Sequence, residues 1–160
     1  MYNTKFAIPN TLKYTAIETV ITVVGGLILA VFLTSGLRSQ GYLKAIIFLP
    51  TLLGSGVVAS AWSSLMDTNG LLNQVLGLFG VEPVKWLTSK EWALASCIIV
   101  QEWQGMGTAL VIYIGGLSAI PQTYYEAAAM DGVNPWTKFF KITLPLMVPS
   151  INTVLTLSLI

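Results

Sequence analysis

Four apolar stretches alternate along the chain with three polar connections, a pattern that predicts a polytopic helix bundle. Residues 19–37 lie between Glu18 and Arg38, with the helix beginning near Tyr14. Residues 45–66 lie between Lys44 and Asp67, residues 93–118 are interrupted once by Glu102, and residues 142–160 run to the last position. At 1.5 Å per residue, about 20 residues cover the ~30 Å hydrocarbon core of a bilayer. About four membrane spans are therefore expected. The final TVLTLSLI is apolar with no flanking charge or aromatic belt, so the chain reads as a fragment cut inside its last span. Residues 1–13 lack the pattern of a secretory signal.

The connections differ in character. Ser39-Gln40-Gly41 is a tight turn between Arg38 and Lys44. Residues 67–91 form a longer loop, in which Asn69-Gly70 is a turn signal and LLNQVLGLF an amphipathic helix lying on the membrane surface. Trp86 and Trp92 fall where an interfacial aromatic belt is expected. The third connection, PQTYYEAAAMDGVNPWTKFFK, holds more helix signals than a simple loop needs. Thr123 is placed to cap a helix, with Glu126 completing a capping box and Asp131-Gly132 as the stop. Asn134 then caps a second short helix that has Pro135 at its first position.

Composition narrows the function. Only 9% of the 160 residues are charged and 54% are hydrophobic, with formal net charge +1. Soluble domains carry roughly 25% charge, so this is an integral membrane protein with no basic field for nucleic acid. There is no histidine, hence neither the commonest metal ligand nor the commonest general base. The single cysteine, Cys97, reads as a small buried packing residue. Gly25-Gly26, Gly54-x-Gly56 and Gly115-Gly116 read as packing points; none precedes the Lys-Ser/Thr of a nucleotide-binding loop. No cofactor, metal or catalytic residue is expected. Lysine and arginine tie across the two faces (Arg38, Lys44, Lys138 and Lys141 against Lys5, Lys13, Lys85 and Lys90), so charge alone leaves the orientation open.

Glu126-Ala127-Ala128, then Asp131-Gly132, then Ile142-Thr143-Leu144-Pro145, resemble the EAA loop of ABC-importer permeases. Ala119-Ile120-Pro121 and Tyr125 resemble its sugar branch, the maltose, lactose and glycerol-phosphate type. Weaker matches at Asn10-Thr11, Leu49-Pro50, Gly70-Leu71-Leu72-Asn73, Trp86-Leu87, Trp103, Gly105 and Gly116-Leu117 extend the likeness over about residues 10–160. The resemblance implies one all-α transmembrane permease domain over 1–160, like that of type I ABC importers, multi-pass in the plasma (inner) membrane. It implies that loop 119–141 is cytoplasmic and loop 67–91 extracytoplasmic. It implies as partners two ATP-binding subunits, a second permease subunit and an extracytoplasmic solute-binding protein. Tyr125, Glu126, Ala127, Ala128, Met130, Asp131, Gly132 and Pro145 would couple the permease to the ATPase within 121–141 and at the head of the last span. Pro145 and Pro149 start and kink that span, or sit as ordinary first-turn prolines.

Span three carries Gln101-Glu102-Trp103-Gln104-Gly105 and Thr108. Polar side chains at membrane depth face a cavity or another helix. Gln104 and Thr108, four apart, share a face, and amide, hydroxyl and indole groups suit a carbohydrate. By position in the resembled family, Trp103, Gln104, Gly105 and Thr108 approach the substrate path; the alternative is helix–helix packing. Glu102 faces the bundle or reaches toward the outer surface. Two other functions remain open: an importer of a non-sugar solute, and a non-transporting membrane scaffold that uses 121–141 for docking.

Overall fold

The structure, a computed structural model, describes residues 4–35 and 40–160, with side chains from residue 7 onward. Arg38 and Ser39 of the expected turn, and the side chain of Lys5, lie outside the described residues. All regular elements among the described residues are helical. In chain order they are α1 (Thr4–Val20), a π-turn (Ile21–Gly25), α2 (Gly26–Thr34), α3 (Gln40–Phe48), a 3-10 turn (Leu49–Leu52), α4 (Ser55–Leu65), α5 (Leu71–Leu78) and α6 (Ala93–Ser118). There follow α7 (Gln122–Met130), α8 (Pro135–Lys138), a second π-turn (Phe139–Thr143), α9 (Leu144–Leu146) and α10 (Val148–Ser158).

Two helices, Ala7–Thr34 and Ala93–Ser118, are long and apolar enough to cross a membrane, and two bent pairs bring the total to as many as four. The first span starts well before Tyr14, because the helix runs without interruption through the polar N-terminal residues. The second is broken by 99° between Gln40–Leu52 and Ser55–Leu65. Pro50 lies in the 3-10 turn, Leu53 is extended at ψ 137, and Gly54 caps the next helix. Proline cannot supply its helical N–H, and the chain turns there. Gln40 and Gly41 open α3 rather than close a turn. The fourth span bends by 64° between Leu146 and Val148, where Pro149 removes an N–H and its ring crowds the carbonyl four residues back.

Helix α6 is the spine. The α1–α2 span packs alongside it, α3 and the 3-10 turn pack on a second side, and α10 on a third. Small residues set the approach distances. A Cβ on Gly26 would lie 3.2 Å from both Ala109 and Tyr113, and one on Gly107 would lie 2.9 Å from the Phe48 Cα. One on Gly116 would collide with Ser150. Gly54, Gly56 and Gly115, expected as packing points, meet nothing within 4 Å. The core gathers Ala30, Leu33, Ala109, Leu110, Tyr113 and Met147 around the spine. Tyr113 is fully buried, and its hydroxyl donates to the Val23 carbonyl at 3.1 Å. Cys97 is exposed rather than buried.

Candidate functional site: a docking loop and an intramembrane groove

The connections 67–92 and 119–141 leave opposite ends of α6 and so lie at opposite ends of the bundle. In the second, α7 begins at Gln122 with Pro121 as its cap (φ −59, ψ 133) and no side-chain cap bond. Thr123 and Glu126 are therefore ordinary exposed positions within the helix, and the expected capping box does not form. Pro121 sets the entry angle two residues earlier, which leaves Thr123 helical and unable to adopt the extended cap geometry.

The stop forms as expected. Asp131 is the C-cap and Gly132 follows at φ +67. Val133 N–H donates to Ala128 O at 3.0 Å and Gly132 N–H to Ala129 O at 3.1 Å, which together make a Schellman motif. Asn134 caps α8, its Oδ1 accepting from Thr137 N–H at 2.7 Å, and Pro135 opens the helix. The unit α7–Gly132–α8 is thus closed by its own hydrogen bonds.

The residues expected to couple divide between two faces. Tyr124, Ala127, Met130 and Asp131 point outward, Met130 at 90% exposure. Tyr125 and Ala128 point inward. Ala128 is buried, while Tyr125 packs on the core and shares a 3.1 Å hydrogen bond with the Thr143 hydroxyl in the second π-turn. Tyr125 is thus an anchor to the last span rather than a contact surface. An open concavity of about 600 Å³ lies between α7 and α8, lined by Tyr124, Ala127, Asp131, Val133, Thr137 and Lys141. Pro145 is the second residue of α9, two residues beyond the anchoring Thr143 and exposed. Trp136, largely exposed, stacks on Phe140 with ring centroids 6.4 Å apart.

Inside the bundle, a groove of about 210 Å³ runs between the first span, α6 and α10. Its polar lining is Glu18, Thr22, Gln101, Thr108 and Ser158, with Gly105 leaving one wall open. Of the four expected path residues, Gly105 and Thr108 face it and the other two do not. Trp103 meets Trp62 edge-on with centroids 5.4 Å apart. Gln104 stitches the broken second span to α6: its Nε2 donates to Leu53 O at 3.0 Å, and its own carbonyl accepts from the Thr51 hydroxyl at 2.8 Å. The break frees backbone carbonyls inside a bilayer, and this amide satisfies one of them.

Gln101, Gly105, Thr108 and Ile112 follow 4-3-4 spacing, one stripe of a helix; taking Gln104 with Thr108 chose the neighbouring stripe. Glu18 and Thr22 are also four apart, but they sit on a helix read only as an apolar span. Glu102 is buried toward the first span and accepts from the Thr22 hydroxyl at 2.9 Å, so it does not reach for the outer surface. Its other carboxylate oxygen has no partner among the described residues. Thr22 lies within the first π-turn, a local irregularity that often re-aims side chains at sites.

At the other end, α5 occupies Leu71–Leu78 as expected, and the buried amide of Asn73 organises the whole connection. Its nitrogen reaches the carbonyls of Asp67, Thr68 and Val84 at 2.9–3.3 Å. Its oxygen accepts from Val84 N–H at 3.0 Å and from the Trp86 indole at 3.1 Å. Nothing in the local pattern marks Asn73 for this role, since its partners lie up to 13 residues away.

The profile of the family described as "Binding-protein-dependent transport system inner membrane component" matches residues 23–160. The trehalose/maltose transport system permease protein MalF of Thermococcus litoralis is 32% identical over 148 residues, covering 92% of this chain and 50% of that protein. The arabinooligosaccharides transport system permease protein AraP of Bacillus subtilis is 32% identical over 158 residues, 96% of this chain and 50% of its own length. A crystal structure of a bacterial ABC transporter involved in the import of alginate superposes with TM-score 0.88 at 26% identity, over 96% of this chain and 55% of that one. This chain spans about half the length of the relatives it matches.

Proposed function

This chain belongs to the family of binding-protein-dependent transport system inner membrane components, and we propose that it forms part of the permease of an ATP-driven importer for a sugar or related small polar solute. Its fold is a helix bundle of the ABC-importer permease kind. In this reading the chain is not itself an enzyme; ATP is hydrolysed by two partner subunits, and a second permease subunit completes the path. An extracytoplasmic solute-binding protein delivers the solute. The related alginate transporter has also been crystallised with a periplasmic protein carrying an alginate pentasaccharide, which supports that part of the reading.

The observation that carries the proposal is the link between loop and groove. The outward face of Tyr124, Ala127 and Met130 offers small and apolar contacts at which an ATP-binding subunit docks, with 119–141 cytoplasmic and 67–91 on the other side. The inward face is tied by Tyr125 to Thr143. Beyond Thr143 the chain bends by 64° into α10, whose Val154, Leu157 and Ser158 line the groove. A displacement of the docked unit thereby reaches the groove wall through one bent helix. Gln101, Gly105 and Thr108 present amide, open and hydroxyl surface to a polyhydroxy solute. A scaffold would need the docking face but not the groove.

ATP-dependent uptake of labelled sugars into vesicles holding the assembled complex tests the proposal. Replacing Glu126 and Gly132 together, as Glu126→Ala with Gly132→Val, abolishes uptake while the complex still assembles. Unchanged uptake in that double variant would remove the docking role.

A further inference from the structure

Four large apolar side chains of α5 remain uncovered: Leu71 at 56% exposure, Val75 at 44%, Leu78 at 84%, and Phe79 just past its end at 78%. Their spacing confines them to one arc of about 100° on the helix. The sequence LLNQVLGL has no charge, so no ionic group sets the helix apart from lipid. Rolling the helix to hide this face is not open to it. Asn73 is on the opposite side, buried and held by the carbonyls and N–H groups of Asp67, Thr68, Val84 and Trp86.

Two contacts fix the level of α5 along the bundle. Its cap, Gly70, lies against the last turn of α4: an added Cβ would be 2.6 Å from Ser64 O and 2.9 Å from Asp67 O. Trp86, whose indole donates to Asn73 in the middle of α5, in turn accepts at its carbonyl from the Ser96 hydroxyl in the first turn of α6 at 3.0 Å. The helix is therefore held beside the end of α4 and, through Trp86, the start of α6, so it lies level with the ends of two apolar helices. Trp86, bonded to Asn73 of α5, meets Trp92 edge-on at 5.3 Å, and tryptophan is the residue type that favours a membrane–water boundary.

We propose that α5 is an interfacial anchor whose Leu71, Val75, Leu78 and Phe79 lie in the boundary between lipid headgroups and acyl chains. The face would continue the lipid-covered surface of the spans across the end of the bundle and hold the 67–92 connection against the membrane. This inference requires only that the chain sits in a bilayer, and it is independent of coupling to an ATPase.

The test uses the intact complex in phosphatidylcholine vesicles, with Cys97→Ser as background. A bimane fluorophore is attached at Leu78→Cys, at Phe79→Cys or, as a solvent reference on the same connection, at Glu82→Cys. Lipids carrying a nitroxide near the top of the acyl chain should quench positions 78 and 79 at least three-fold more than position 82, and aqueous iodide should show the reverse order. Iodide quenching at 78 and 79 equal to that at 82 would mean the face lies in water and overturn the proposal. Protection from both quenchers would mean a protein surface covers it, and would overturn it equally.

Discussion

The two short helices α5 and α7 sit at opposite ends of the same spine and end in the same way, yet they are held very differently. Each closes with a Schellman motif around a positive-φ glycine, Gly80 at φ 76 and Gly132 at φ 67. Inward from that stop, α5 carries a buried amide bonded to four other residues. Inward from its own stop, α7 carries a single phenol on one hydroxyl of a bent span. The first arrangement immobilises its loop against the bundle. The second ties α7 to the bundle by one side-chain hydrogen bond and the buried Ala128, while α8 runs on directly into the last span.

Breaking the amide should have the largest effect. Asn73→Ala leaves the Val84 N–H and the Trp86 indole without their acceptor in a buried place, at about 1–3 kcal/mol per orphaned group. A loss of about 3 kcal/mol is expected, read as a clear fall in the Tm of the purified complex. Next come the two glycines. Valine at either forces a branched side chain into the left-handed region, about 1–2 kcal/mol. Gly80→Val and Gly132→Val should therefore destabilise alike, while uptake assays separate them, with only Gly132→Val uncoupling transport. Tyr125→Phe removes one hydrogen bond, about 1 kcal/mol; uptake should fall by more than the modest Tm change accounts for.

Glu126→Ala should be the smallest in stability, within about 0.5 kcal/mol, because the side chain is exposed and caps nothing. Had it completed a capping box, the loss would be nearer 1 kcal/mol. Thermal unfolding of the variant complex distinguishes the two.

These residues also mark how far the sequence could be read. Periodicity and charge-free length gave the spans, and the resemblance at EAAAMDG singled out the segment that forms α7 and its stop. Asn134 and Gly132 were legible because cap and stop chemistry is local. Thr123 was misread because Pro121, two residues earlier, also starts a helix, and the two signals compete within one turn. The break at Leu53–Gly54 was hidden because Pro50 and two glycines are tolerated inside continuous membrane helices as well. The roles of Thr22 and Glu18 are not legible because they depend on helices meeting in space, and that of Asn73 because its partners lie up to 13 residues away. The inward turn of Tyr125 was likewise invisible, since YYEAAAM does not say which tyrosine faces the bundle.

A photo-crosslinker placed at Met130, compared with one at Leu78 in the same assembled complex, tests the coupling account most directly. The account predicts that position 130 captures an ATP-binding subunit and position 78 does not. Failure of position 130 to capture that subunit, or its capture from position 78, would contradict it.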